Sequence, residues 1–119
     1  KIGNKKMKKY VYKICSKCDW ETAKKNGVFE GSGIDLIDKF IHFSSSEQVK
    51  ETASLHFKKE NNLVLLEVET KNLNILWEES SNQLLFPHLY DSLPINSVVN
   101  VYELPIDENG KHVFPRHIK

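Results

Sequence analysis

The sequence predicts one small α+β domain, and three observations lead there. Short runs rich in aromatic and β-branched residues recur along the chain and read as strands. Between them, two segments centred on Trp20-Ala23 and Val49-Ala53 carry the spacing of helices. No internal repeat or low-complexity linker divides the 119 residues, which suffice to bury one core without disulfides or structural metal.

Tyr10-Val-Tyr-Lys-Ile-Cys15 reads as a first strand, ending where Ser16 or Asp19 can cap a helix. That helix runs through Trp20, Ala23 and Lys24 and stops at Asn26-Gly27, where glycine can take the left-handed conformation. Val28 to Lys39 carries two glycines and no sustained period, so it reads as an excursion of little regular structure, of a length that often lines a site. In Phe40-Ile-His-Phe-Ser44, strand alternation places Phe40, His42 and Ser44 on one face and Ile41 and Phe43 on the other. Serines 44 to 46, followed by Glu47 and Gln48, carry a capping-box signature for a helix with an inward stripe of Val49, Ala53, His56 and Phe57. Leu63 to Val68 is apolar on both faces and reads as a central, covered strand. Ile75 to Glu78 follows as a fourth strand, and Glu79 to Gln83 as a turn. Leu84 to Tyr90 is extended but belongs at an edge or rim, because Pro87 lacks a ladder donor. Val98 to Leu104 is the last strand, before the turn Asp107-Glu-Asn-Gly110 and a tail from Lys111, polar and aromatic by turns and expected to wander, that holds His112 and His117.

Seventeen basic residues nearly balance sixteen acidic ones, so no global field points to nucleic acid or to an anionic membrane. The longest apolar run, around Val64 to Leu66, is far short of a bilayer span. The lysines at 5, 6, 8 and 9 read as a solvated end, and Lys13 interrupts the chain before a signal-peptide core could form, which points to a cytoplasmic protein. Residues 7–119 are taken as the domain, with 1–6 as an N-terminal extension or expression remnant.

Several residues have the chemistry to build a site. Cys15-Ser-Lys-Cys18 leaves a strand for a helix N-terminus, an arrangement that lowers a thiolate pKa in redox domains; ordinary reduced cysteines or half a zinc site are the other readings. With no second pair of ligands at close spacing, metal is not expected. Of five histidines, His42 in mid-strand and His88 after Pro87 are best placed to face a cleft, while His56 reads as a partly buried packing residue. Glu78 and Glu79 are adjacent on a strand and cannot share a proton, which leaves Glu78 as a single orienting carboxylate. Gly31-Ser-Gly33 lacks the context of a phosphate loop, no nucleophile elbow surrounds Ser32, and sheet motifs for RNA are missing.

Taken in order, Tyr12-Lys-Ile14, Trp20, Ala23, Gly27, Phe29, Gly31-Ser32, Asp38-Lys-Phe-Ile-His-Phe-Ser44, Gln48, Thr52-Ala53, His56-Phe57, Leu65-Leu66, Trp77-Glu78 and Phe86-Pro-His-Leu-Tyr90 resemble the domain of unknown function 952 family from Tyr10 to Leu104. Lys39 stands where that family usually has glycine. The resemblance implies a fold similar to ADP-ribosyltransferases: a split, mostly antiparallel β-sheet core with two or three flanking helices, and a cleft for nicotinamide adenine dinucleotide (NAD). His42 is similar to the histidine of a strand-then-serine segment in RNA phosphotransferases, and Tyr12 and Lys13 stand where the transferases carry a first-strand histidine. The resemblance also implies an NAD-utilising transferase with His42, Glu78 and His88 in catalysis. Tyr12, Trp77 or Tyr90 would stack on the cofactor, Lys13 would pair with pyrophosphate, and Ser44 would line the cofactor site. Two other classes stand beside it: a nucleotide- or metabolite-binding module without turnover, and a thiol redox protein using Cys15 and Cys18.

Overall fold

The computed structural model describes residues 8–80 and 83–118. The extension expected at 1–6 lies outside these residues, as does part of the turn expected at 79–83. The chain runs β1 (Tyr10–Ser16), α1 (Lys17–Asn26), β2 (Val28–Phe29), α2 (Ile34–Asp38), β3 (Ile41–His42), α3 (Val49–His56), β4 (Leu63–Glu69), β5 (Leu76–Glu79), β6 (Leu85–Leu89), β7 (Leu93–Pro94) and β8 (Val98–Glu103). The fold is α+β with antiparallel pairing throughout. Two three-stranded sheets, β1-β4-β8 and β3-β6-β5, are accompanied by the short β2-β7 ladder. The larger sheets meet at one bridge, where Tyr12 and Ser44 exchange backbone hydrogen bonds of 2.7 and 2.8 Å.

The centre of the first sheet is β4, buried along six consecutive residues because a hydrophobic cluster covers each face. Val64, Leu66 and Val68 join Val11, Cys15, Trp20 and Phe29 on one side. Leu63 and Leu65 join Tyr12, Ile14, Val49 and Ala53 on the other, under α3. The helix ends follow local chemistry. Ser16 Oγ accepts from the Asp19 amide at 3.0 Å, and Gly27, at φ 82°, closes α1 through its amide to the Ala23 carbonyl. Ahead of α3, the Gln48 side chain reaches back to the Ser45 amide at 3.0 Å, one half of the expected capping box.

Four expectations are corrected. The segment read as irregular from Val28 to Lys39 contains β2 and α2, hidden because each is too short to show a period. His56 is exposed, since α3 buries only Val49 and Ala53. Strand β6 lies between β3 and β5 rather than at an edge. Pro87 is tolerated there because its carbonyl, and hence its missing N–H, faces the side of the two-residue β3, where the carbonyl accepts from the Phe43 amide at 2.9 Å. The tail is docked: Ile118 is buried in the α3-side core, and His117 Nε2 lies 3.0 Å from Glu67. No helix among the described residues is long and apolar enough to cross a membrane.

Candidate active site

The site is assembled where α2, β3, β5 and β6 meet. Registers alone bring its parts together: His42 of β3 pairs directly with His88 of β6, and Glu78 of β5 lies diagonally across from His88, which itself pairs with Leu76. The imidazoles stand edge to face with centroids 5.2 Å apart. Phe40 covers them, its ring 4.4 Å from His42, 4.3 Å from His88 and 4.9 Å from Tyr90.

Each histidine is held by a carboxylate. His42 Nδ1 lies 2.6 Å from Asp35 Oδ1, which also accepts from the His42 amide at 3.0 Å. The other oxygen of Asp35 receives the Ser32 amide at 3.0 Å and Lys13 Nζ at 2.6 Å. Lys13 donates as well to the His42 carbonyl at 3.0 Å. The far nitrogen of His42 lies 3.0 Å from Asp38 Oδ2, so both ring nitrogens are engaged by acids. Burial pushes the Asp35 carboxyl up, but the His42 hydrogen bond, the charge and hydrogen bond of Lys13 and the Ser32 amide outweigh it and hold the group below its usual range. Gly31 makes this clamp fit: its φ is 111°, and a Cβ there would come within 2.8 Å of the Asp35 Cβ.

His88 differs in having one nitrogen unengaged. Nδ1 lies 2.7 Å from Glu78 Oε1, and no partner for Nε2 exists among the described residues. Burial, opposed by the Glu78 hydrogen bond and helped by the nearby His42, holds its pKa below the ordinary 6.5. A neutral ring that donates from Nδ1 to Glu78 leaves the Nε2 lone pair available. Tyr90 donates to the same Glu78 oxygen at 2.8 Å, and these two hydrogen bonds keep Glu78 below the usual carboxyl range.

Beside the ring cluster opens a cleft of about 340 Å³, at the small end for ligand pockets. Phe40 and Tyr90 belong both to its wall and to the ring cluster; the two histidines stand along that wall, outside the cleft lining. Its rim is acidic, with Glu30 and Asp91 against Lys39. No group of three or more His, Cys, Asp or Glu among the described residues is arranged to hold a metal ion.

A family match spans residues 14–101, under the description Protein of unknown function (DUF952). The chain belongs to this family. Among solved structures, the DUF952 chain is similar to the crystal structure of protein CC0527 from Caulobacter crescentus, at 42% identity and a TM-score of 0.86, over 92% of this chain and 97% of that one. The solution NMR structure of CC0527 is 43% identical with a TM-score of 0.74, covering 86% and 90%. No curated protein matches.

Of the residues the sequence singled out in this DUF952 domain, His42, His88, Glu78 and Tyr90 come together, with Lys13 behind them. Lys13, however, is buried and committed to Asp35, so it has no charge to offer a pyrophosphate. Tyr12 lies on the opposite face of β1, donating to Glu67 at 2.7 Å; adjacent residues of a strand cannot share a face. For the same reason Trp77 is buried in the core while Glu78 faces the site. Ser44 lies past the end of β3 and turns to Thr52 of α3 at 2.9 Å. Burial pushes the Cys15 thiol up to about 12, opposite to what thiol chemistry needs, and Cys18 is exposed on α1. Asp35, Asp38 and Phe40, which the sequence does not single out, join this cluster in the structure. The signal for Asp35 is Gly31, whose missing Cβ leaves the room that the buried Asp35 side chain occupies.

Proposed function

We propose that this cleft binds an NAD-like dinucleotide and transfers its ADP-ribosyl unit, on a fold related to the ADP-ribosyltransferases. The observation that carries the reading is the His88-Glu78 pair beside an aromatic wall with an acidic rim. A nicotinamide glycoside is a pyridinium, and its cleavage develops positive charge on the ribose; carboxylates and aromatic faces stabilise both. The C1′–N bond breaks with its electron pair going to the pyridinium nitrogen, which leaves as neutral nicotinamide. An acceptor hydroxyl or water forms the new C1′–O bond and gives its proton to His88 Nε2. Glu78 orients that imidazole and offsets its charge once protonated. His42, engaged at both nitrogens, serves as a fixed donor or positioning group instead of a base.

A binding module without turnover is the second reading, favoured by the commitment of Lys13 to Asp35 at the place where the transferases use a first-strand histidine. An amide NMR titration with NAD, followed by assay of nicotinamide release, separates the two. Shifts on Phe40, His42, His88 and Tyr90 with release that falls at least roughly 100-fold in His88→Ala support the transferase. Under this reading the rate loses its base limb only below pH 6.5, since the His88 pKa is lowered. Shifts without release support the binding module, and no shifts at millimolar NAD overturn the transferase and remove NAD as the ligand of a binding module.

A further inference from the structure

Away from this cleft, a second concavity of about 390 Å³ lies between α3 and the C-terminal tail. Its wall carries Lys50, Lys58, Lys59, Lys111, His112 and Phe114, and no acidic residue lines it. That is a local excess of positive charge in a chain of net charge +1. Elsewhere Lys8, Lys17 and Lys24 each lie within 3.5 Å of a glutamate. Among the described residues, no carboxylate reaches ion-pair distance of Lys58, Lys59 or Lys111.

The groove is also held in shape. Asp107 Oδ1 accepts from the Asn109 and Lys111 amides at 2.8 and 3.0 Å, which fixes the turn. Gly110, at φ 80°, lies where a Cβ would meet the Lys59 stem at 3.2 Å, so that stem packs against the turn. His112 Nε2 lies 2.9 Å from the Glu60 carbonyl and ties the tail to the segment after α3. Phe114 packs on the α3-side core while remaining half-exposed, with Lys50 Nζ 6.0 Å from its ring centre. Several lysines and an aromatic ring on one groove wall are what a nucleotide requires: cations for the phosphates and a flat surface for the base.

We propose that this groove is a nucleotide-phosphate site, in which Lys58, Lys59 and Lys111 meet phosphate oxygens and Phe114 stacks one base. The site shares no residue with the histidine cleft, and its test uses probes without nicotinamide, so neither proposal stands or falls with the other. Adenosine triphosphate and an eight-nucleotide single-stranded RNA are titrated separately into the full chain and followed by amide NMR and fluorescence anisotropy. Shifts on Lys58, Lys59, Lys111 and Phe114 are expected. With three lysine-phosphate contacts, the RNA affinity falls with salt at a log-log slope of about −2. The Lys58→Gln/Lys111→Gln variant flattens that slope to about −0.7. Phe114→Leu keeps an apolar side chain on the core and weakens binding without changing the slope. Equal affinity for triphosphate and RNA assigns a free nucleotide; tighter RNA binding assigns a nucleotide within a strand. No groove shifts with either probe, or affinity unaltered in the lysine variant, overturns the proposal.

Discussion

A carboxylate with 1% of its surface exposed, as in Asp35, is tolerable because four donors meet it and one of them, Lys13, carries the countercharge. Asp35→Asn leaves the Lys13 ammonium buried without that charge and is expected to cost ~3–5 kcal/mol in urea unfolding. A Lys13→Met/Asp35→Asn double variant removes both charges and keeps a side-chain acceptor for His42, so it recovers part of the loss; a single-variant cost below ~1 kcal/mol would show that the pair is not effectively buried. The pH dependence has a fixed sign. Because the folded carboxyl is held low, its contribution is fully present above the unfolded pKa of about 3.9 and is lost as the pH falls through the folded value. The acid limb of the stability curve should therefore shrink in the double variant. Glu67 repeats the device on the other face of the sheet, with Tyr12, Asn100 and His117 as donors.

Elements so short are set by their ends more than by internal propensity. Helix α1 has ten residues, two of them buried, so its caps weigh heavily. Ser16→Ala removes the bond to the Asp19 amide and should cost ~1 kcal/mol; Gly27→Ala, forced to keep φ near 82°, should cost about as much despite open space around its Cβ. Thermal unfolding of both variants checks this, and an unchanged midpoint in either would show the cap to be dispensable. The same logic explains which elements were legible. Both ends of α1 announced themselves, through Ser16 and Gly27, whereas five-residue α2 has glycine at its N-cap and no side-chain cap bond. Its position depends on Asp35 being drawn to Lys13 and His42, contacts that no local pattern records.

Across the whole molecule, one sheet divides two cores, and β4 serves both. Leu65 and Leu66 are each fully buried but point to opposite sides. Leu65→Ala and Leu66→Ala should each cost ~2–5 kcal/mol by denaturant titration; if one face were solvated, one of the two would be nearly neutral. Apolar residues on both faces of Leu63–Val68 were enough to place this strand at the centre, because burial on two sides excludes polar alternation. Side-chain alternation in β1 and β5 likewise separates Tyr12 from Lys13 and Trp77 from Glu78, a rule of period two that needs no coordinates. The chain's order of residues thus settled the fold class, the central strand, the ends of the first helix and the candidacy of His42, His88 and Glu78. Which acids partner those histidines was settled in three dimensions. Asp35 and His42, Glu78 and His88, and Lys13 and Asp35 lie 7, 10 and 22 residues apart. Their meeting follows from strand register and from the desolvation that makes each buried charge seek a partner, quantities that belong to the packed molecule and not to any local stretch of it.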